Sequence, residues 1–207
     1  MAQPIDNRLI ARCLRGERPA QRALYERLLP TLSLVAKRYL QRPDDVKDVL
    51  QETFISIFKH LGQYDAGRAA FLTWATRITI NACLRQNRRC PAARESELLV
   101  ERDAPAVAPS ALANLTNAEL IAFLRRMPPD FYAVFSLHVI DGFTHAEIAA
   151  SLGIDPALSR QRLTRARAWL RRHLPPEYGT VRHLKRRPDA GTVILPLLPL
   201  ILQFLAP

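Results

Sequence analysis

Val46, Leu50, Phe54, Ile57 and Leu61 stand 4, 4, 3 and 4 positions apart. That spacing returns each side chain to the same side of a 3.6-residue helix and to alternating sides of a strand. The run therefore folds as a helix with one apolar face, opening near Asp44 and ending near Leu61. Such a face is stable only against another apolar face, so the chain must supply partners. It does so upstream, where Ile5, Leu9, Leu14, Leu24, Leu28, Leu32 and Val35 recur at helical intervals, with a break at Gly16–Pro19. A third run covers Ala70–Arg89 after a turn at Gly62–Arg68. Residues 91–109 are richer in Ala, Pro and acids and keep no period, so they read as a linker.

Helical signals resume at Thr116, which has capping-box spacing to Glu119. Leu120, Phe123, Leu124 and Met127 follow, and Pro128–Pro129 stops the helix. A further helix is expected over Asp130–Ile140, with a turn at Asp141–Gly142. Sustained alternation and hairpin signals are absent throughout. The expected fold is all-α, in two small helical bundles joined by a linker. The expected boundaries are 1–90 and 116–175 for the bundles, 91–115 for the linker and 176–207 for a basic and then apolar tail.

The second bundle ends in a distinctive unit. Thr144 and Glu147 have capping-box spacing, so a helix begins there, with Ile148, Ala149 and Leu152 inward. Gly153 ends it where a positive φ costs glycine little. Asp155 suits an N-cap and Pro156 the first helical position. The helix that follows runs to about Leu174, with Leu163, Ala166, Leu170 and Leu174 on its apolar side. Two helices joined by a short Gly turn, the second rich in arginine, describe a helix-turn-helix, whose second, recognition helix enters the DNA major groove. Charge supports this over a merely solvated basic helix. Residues 156–187 hold ten Lys/Arg and one acid, +9 of the chain's formal +11. Such a cluster points to a polyanionic partner.

Other chemistry finds little support. Cys13, Cys83 and Cys90 are three, with no C-x-x-C pair, which argues against a disulfide framework and fits a reducing, cytoplasmic setting. No His stands at ligand spacing beside Cys83 and Cys90, so no metal site is expected. The five histidines are scattered, and the approach of His138 to His145 in sequence reads as chance. No H-E-x-x-H, G-x-S-x-G, Walker A or G-x-G-x-x-G pattern occurs. The expectation is a non-enzyme without cofactors. No export signal is read at the N-terminus.

The segment 130–174 resembles the C-terminal DNA-binding domain of extracytoplasmic-function (ECF) sigma factors. DVLQETF (48–54), FLTWATRI (71–78) and Asn81 resemble their N-terminal domain. The resemblance covers roughly residues 5–175. It implies a promoter-specificity subunit that binds core RNA polymerase and promoter DNA, with an anti-sigma factor as a further partner and no catalytic chemistry of its own. A stand-alone helix-turn-helix regulator would account for the second bundle but not for DVLQETF.

By the same resemblance Asp45, Asp48, Gln51 and Glu52 dock on the polymerase. Acids near a helix N-terminus also follow from the helix dipole, which accounts for Asp45 better than for Glu52, two turns in. Gln63, Arg68, Arg77, Asn81, Arg85 and Arg88 would handle the opened minus-ten strand, with Phe71 and Trp74 expected in the core. Arg160, Gln161 and Arg165 fall on the base-reading face for the minus-thirty-five element, and Arg162, Arg167 and Arg171 on phosphates. One departure stands out. The family often carries Gly-Thr-Val where this chain has Ala157, Leu158 and Ser159, so the recognition helix is expected to sit differently.

The tail carries Val193–Ala206, fourteen nearly all-apolar residues interrupted by Pro196 and Pro199. A spanning helix needs about twenty, so no anchor is expected. Packing on the protein itself, a partner's groove and a membrane interface behind the basic run all remain open for it, with a regulatory role conceivable for each.

Overall fold

The computed structural model describes residues 5–89 and 117–173. The linker 91–115, Cys90, Thr116 with its expected cap, Leu174 and the tail lie outside the described residues. The described residues form two helical units with no strand, one on each side of the linker.

In the first unit, α1 (Asn7–Leu14) starts where the Asp6 carboxylate accepts the Leu9 amide at 2.7 Å. Gly16, at φ +79°, turns the chain. Glu17 closes the corner by receiving Arg12 at 2.7 Å and Arg15 at 2.8 Å, and these bonds hold its carboxyl below the ordinary carboxylate range. Helix α2 (Arg18–Tyr39) follows, with Pro30 inside it. Helix α3 (Pro43–His60) starts on a proline and carries Asp44 and Asp45 in its first turn, where they face the positive end of the helix dipole. A single 3₁₀ turn (Leu61–Gln63) and a loop lead to α4 (Phe71–Arg89). Helices α2, α3 and α4 pack mutually, and α1 lies on α2.

Every member of the α3 stripe is buried, as its spacing requires, and Leu24, Leu28, Leu32, Ile57 and Ile80 are sealed completely. Leu14 is a correction. It stands five residues after Leu9, half a turn off that residue's face, and is 54% exposed. Phe71 is buried as expected, whereas Trp74 is only half-buried.

In the second unit, α5 (Asn117–Leu124) and α6 (Pro129–Phe135) are followed by one π-helical turn (Ser136–Ile140). The expected continuous helix over 130–140 is thus α-helical only in its first half. Its wide turn is closed by the Asp141 amide on the Ser136 carbonyl at 3.0 Å. Widening stacks residues five apart, so Phe135 and Ile140 both reach a core that α-winding would deny to Ile140. Gly142, at φ +72°, then leads into α7 (His145–Leu152). Helix α8 (Pro156–His173) packs on α6 and α7. Ala166 and Leu170 complete a core with Leu120, Phe123, Leu124, Met127 and Phe135.

Truncating the sealed α2 side chain in Leu28→Ala is expected to destabilise the first unit by about 2–5 kcal/mol, with Leu14→Ala costing under about 1 kcal/mol. Chemical denaturation followed by circular dichroism measures both.

Candidate functional site

On α3 the four polar candidates divide by helix geometry. Asp45 and Glu52 are seven residues apart, so at 100° per residue they lie within about 20° of one another. Both face α4. Gln86 donates to Asp45 at 3.0 Å, Arg42 stands 3.9 Å from the same carboxylate, and Arg85 donates to Glu52 at 2.7 Å. Asp48 and Gln51 turn away and are exposed. Gln51 lines an apolar groove of about 490 Å³ with Tyr25, Leu29, Phe54, Ile55 and Phe58. Ile55 there is 62% exposed. Sequence reasoning missed this apolar surface. Its signal was present, since Ile55 stands off the buried stripe of α3.

Arg77, Asn81, Arg85 and Arg88 are spaced 4, 4 and 3 apart and form one stripe on α4. Arg77, Asn81 and Arg88 are exposed, and Arg85 is half-covered by its pairing with Glu52. The candidate DNA stripe and the candidate docking surface therefore meet in one ion pair, which joins residues the sequence had assigned to different tasks. Gln63 and Arg68 lie exposed beside the start of α4, with Arg68 3.4 Å from Asp65. Tyr64 fixes this loop. Its hydroxyl donates to the Ala69 carbonyl at 3.1 Å, and its ring meets Phe71 edge-on with centroids 4.9 Å apart and Trp74 at 5.5 Å.

In the second unit the helix-turn-helix stands as the sequence implied. The Thr144 hydroxyl accepts the Glu147 amide, and the Glu147 carboxylate accepts the Thr144 amide at 2.8 Å. Gly153 takes φ +67°, and Asp155 accepts the Ala157 amide at 2.6 Å to open α8. Arg160, Gln161, Arg165 and Arg171 are exposed along α8. Arg167 is half-buried, and Arg162 is 20% exposed with its guanidinium donating to Asp130 of α6 at 2.8 Å. The charge of Arg162 is thus already met within the fold.

Two features of this unit escaped the sequence. Ser159, the departure noted above, is completely buried and shares a 2.9 Å hydrogen bond with His145 Nδ1. His138 and His145 are also not a chance pairing. Their rings stack 4.4 Å apart at 17°, because the π turn and Gly142 fold the start of α7 back beside His138. His138 Nδ1 donates to the Phe143 carbonyl at 2.8 Å, which pins the intervening turn.

Among the described residues no group of three or more His, Cys, Asp or Glu is gathered to hold a metal ion. Nor, among them, is any helix long and apolar enough to cross a membrane. Cys13 and Cys83 are buried, unpaired thiols, and burial raises the pKa of Cys13.

Residues 24–90 match the family described as Sigma-70 region 2, and residues 117–170 match Sigma-70, region 4. Together these matches span more than half of the chain. The ECF RNA polymerase sigma-E factor of Escherichia coli (strain K12) is 29% identical over 177 residues, which cover 80% of this chain and 92% of that protein. The ECF RNA polymerase sigma factor SigE of Mycolicibacterium smegmatis is 34% identical over 145 residues, 68% of this chain and 56% of that one. Among solved structures, CnrH in complex with the cytosolic domain of CnrY shares 27% identity, with a TM-score of 0.45, over 80% of this chain and 94% of that one.

The arginines of α8 should separate in a stability measurement. Arg162→Ala removes the tie to Asp130 and is expected to lower the stability of the second unit by about 1 kcal/mol, while Arg160→Ala stays within about 0.5 kcal/mol. Thermal denaturation of the two variants without DNA tests the split.

Proposed function

The chain belongs to the extracytoplasmic-function branch of the sigma-70 family, and on that premise we propose how its two units divide the start of transcription. It binds core RNA polymerase and directs the enzyme to promoters. The first unit docks on the polymerase and handles the opened minus-ten element, and the second reads the minus-thirty-five element as duplex. The observation that carries this division is the match to both regions, in order, on either side of the linker.

In the first unit, docking rests on Asp48 and Gln51 beside the apolar groove at Ile55 and Phe58. An exposed carboxylate next to an apolar groove suits a basic, partly apolar polymerase surface, with charge steering the encounter and burial holding the complex. Asp45 and Glu52 support that surface from the α4 side. Arg77, Asn81 and Arg88, with Gln63 and Arg68, offer cations and amide groups to a separated strand. The Glu52–Arg85 pair lies between the two tasks, within reach of either partner.

In the second unit α8 is the recognition helix. Arg160, Gln161 and Arg165 project from its N-terminal half, where base edges are read, and Arg171 lies further along for phosphate. Arg167, half-buried, reaches the backbone only with its outer atoms, and Arg162 serves first as the brace to Asp130. Sigma factors are non-enzymatic initiation factors, so bond-making stays with the polymerase and this chain contributes binding energy and strand separation. An anti-sigma protein is the antagonist that fits this assignment. A regulator acting without polymerase would leave the first unit's match unexplained.

Two measurements test the division. Asp48→Lys places a cation on an exposed site that makes no core contact, so the protein should stay folded while its capture by core polymerase falls at least about tenfold. Undiminished capture removes the docking assignment. Arg165→Ala should weaken holoenzyme binding to its promoter by about 1–3 kcal/mol and leave unrelated duplex unaffected. An equal loss on both duplexes would mark Arg165 as a phosphate contact instead.

A further inference from the structure

A serine sealed inside a helix interface is costly unless its hydroxyl is bonded. Ser159 is such a residue, and its partner is His145 Nδ1 at 2.9 Å. The bond joins the first helical residue of α7 to the fourth of α8, across the turn that sets the angle between them. Ser159 immediately precedes Arg160, so whatever fixes its rotation about the α8 axis also fixes where Arg160 and Gln161 point. The His145 ring is itself held from the other side by stacking on His138, 4.4 Å away, whose Nδ1 is committed to the Phe143 carbonyl. A chain of contacts thus runs from the π turn through two imidazoles and one hydroxyl into the recognition helix.

We propose that His145 is a positioning residue for promoter reading: through Ser159 and the His138 ring it sets the rotation of α8, and it does so fully only while uncharged. This rests on the reading of α8 as the DNA-reading helix. A neutral imidazole can accept the Ser159 hydroxyl proton. A protonated one can only donate, which reverses that bond and turns the hydroxyl hydrogen away from the ring. The added charge also meets two unfavourable neighbours, the His138 ring of the π turn and the Arg160 guanidinium of α8.

Burial, then His138, then Arg160 push the pKa of His145 below its ordinary value. The sign follows from linkage. A histidine whose folded-state pKa is lowered favours the native arrangement above its unfolded value of about 6.5, and that contribution is lost as pH falls through this value toward the lowered one. Acidification is therefore expected to loosen promoter reading, and alkaline conditions leave it intact.

The test uses the full chain bound to core polymerase. A random duplex library is selected with wild-type holoenzyme near pH 7.5, and the enriched duplex becomes the probe. His145→Phe keeps the stack and orphans the Ser159 hydroxyl, so affinity for this probe should fall about fivefold with unrelated duplex unchanged. Adding Ser159→Val replaces both polar partners and should recover most of that loss. His145→Gln keeps a hydrogen-bonding group without a titratable proton. It should bind within about twofold of wild type and lose less affinity between about pH 7.5 and about pH 5.5. Circular dichroism checks that each variant is folded, and the Gln variant decides the matter if the Phe variant is not. Wild-type affinity in a folded His145→Phe, or superimposable pH profiles for wild type and His145→Gln, would overturn the positioning role. Should wild-type holoenzyme enrich no sequence at all, the DNA-reading assignment of α8 falls first and this proposal falls with it.

Discussion

Each unit depends on the burial of one-sided apolar faces. On α2, α3 and α4 these faces are sealed against each other with almost no polar interruption. The same holds for α8 against α5 and α6, where Ala166 lets the backbones approach and Leu170 fills the space left. Burial at about 25 cal/mol per Å² of apolar surface sets the rotation of each helix. Once rotation is set, every residue off the apolar face has a fixed outward direction. The functional surface of each unit is the complement of its core, which is why acids and amides on α3 and arginines on α8 can be arranged without separate scaffolding.

Much of this was legible in the residues. Helical spacing located the cores, and the Thr144 box, Gly153 and Asp155 delimited the helix-turn-helix because capping chemistry is local and specific. The exposed character of Asp48, Gln51, Arg160 and Arg165 followed from their offset from the apolar stripes. Leu14 failed because a short helix ends before its last residue comes round to the buried side, and hydrophobicity alone does not reveal rotation. The π turn was hidden because only the core it serves distinguishes it from ordinary helix.

The pairings invisible to the sequence are long-range ones. Glu52 meets Arg85 across 33 positions, Asp45 meets Gln86 across 41 and Arg162 meets Asp130 across 32. Each depends on how two helices cross, which no local pattern encodes. The consequence for function is a redistribution of charge. Some ionic groups that a sequence reading assigns to partners are held within the fold, and those that stand outward are fewer and better defined. Ser159 belongs with these cases. As a letter it was an anomaly at an apolar position, and in three dimensions it is half of a hydrogen-bonded pair with His145.

The wide turn at Ser136–Ile140 has a mechanical meaning as well. Carrying one residue more per hydrogen-bonded loop than an α-helix, it acts as a phase shifter between the globule beneath it and the DNA-facing pair of helices above it. Removing a single residue there would rewind the segment as ordinary helix and swing everything after it by about 100°. The whole outward array of α8 is thus indexed to that one supernumerary residue, much as a gear train is indexed to one tooth.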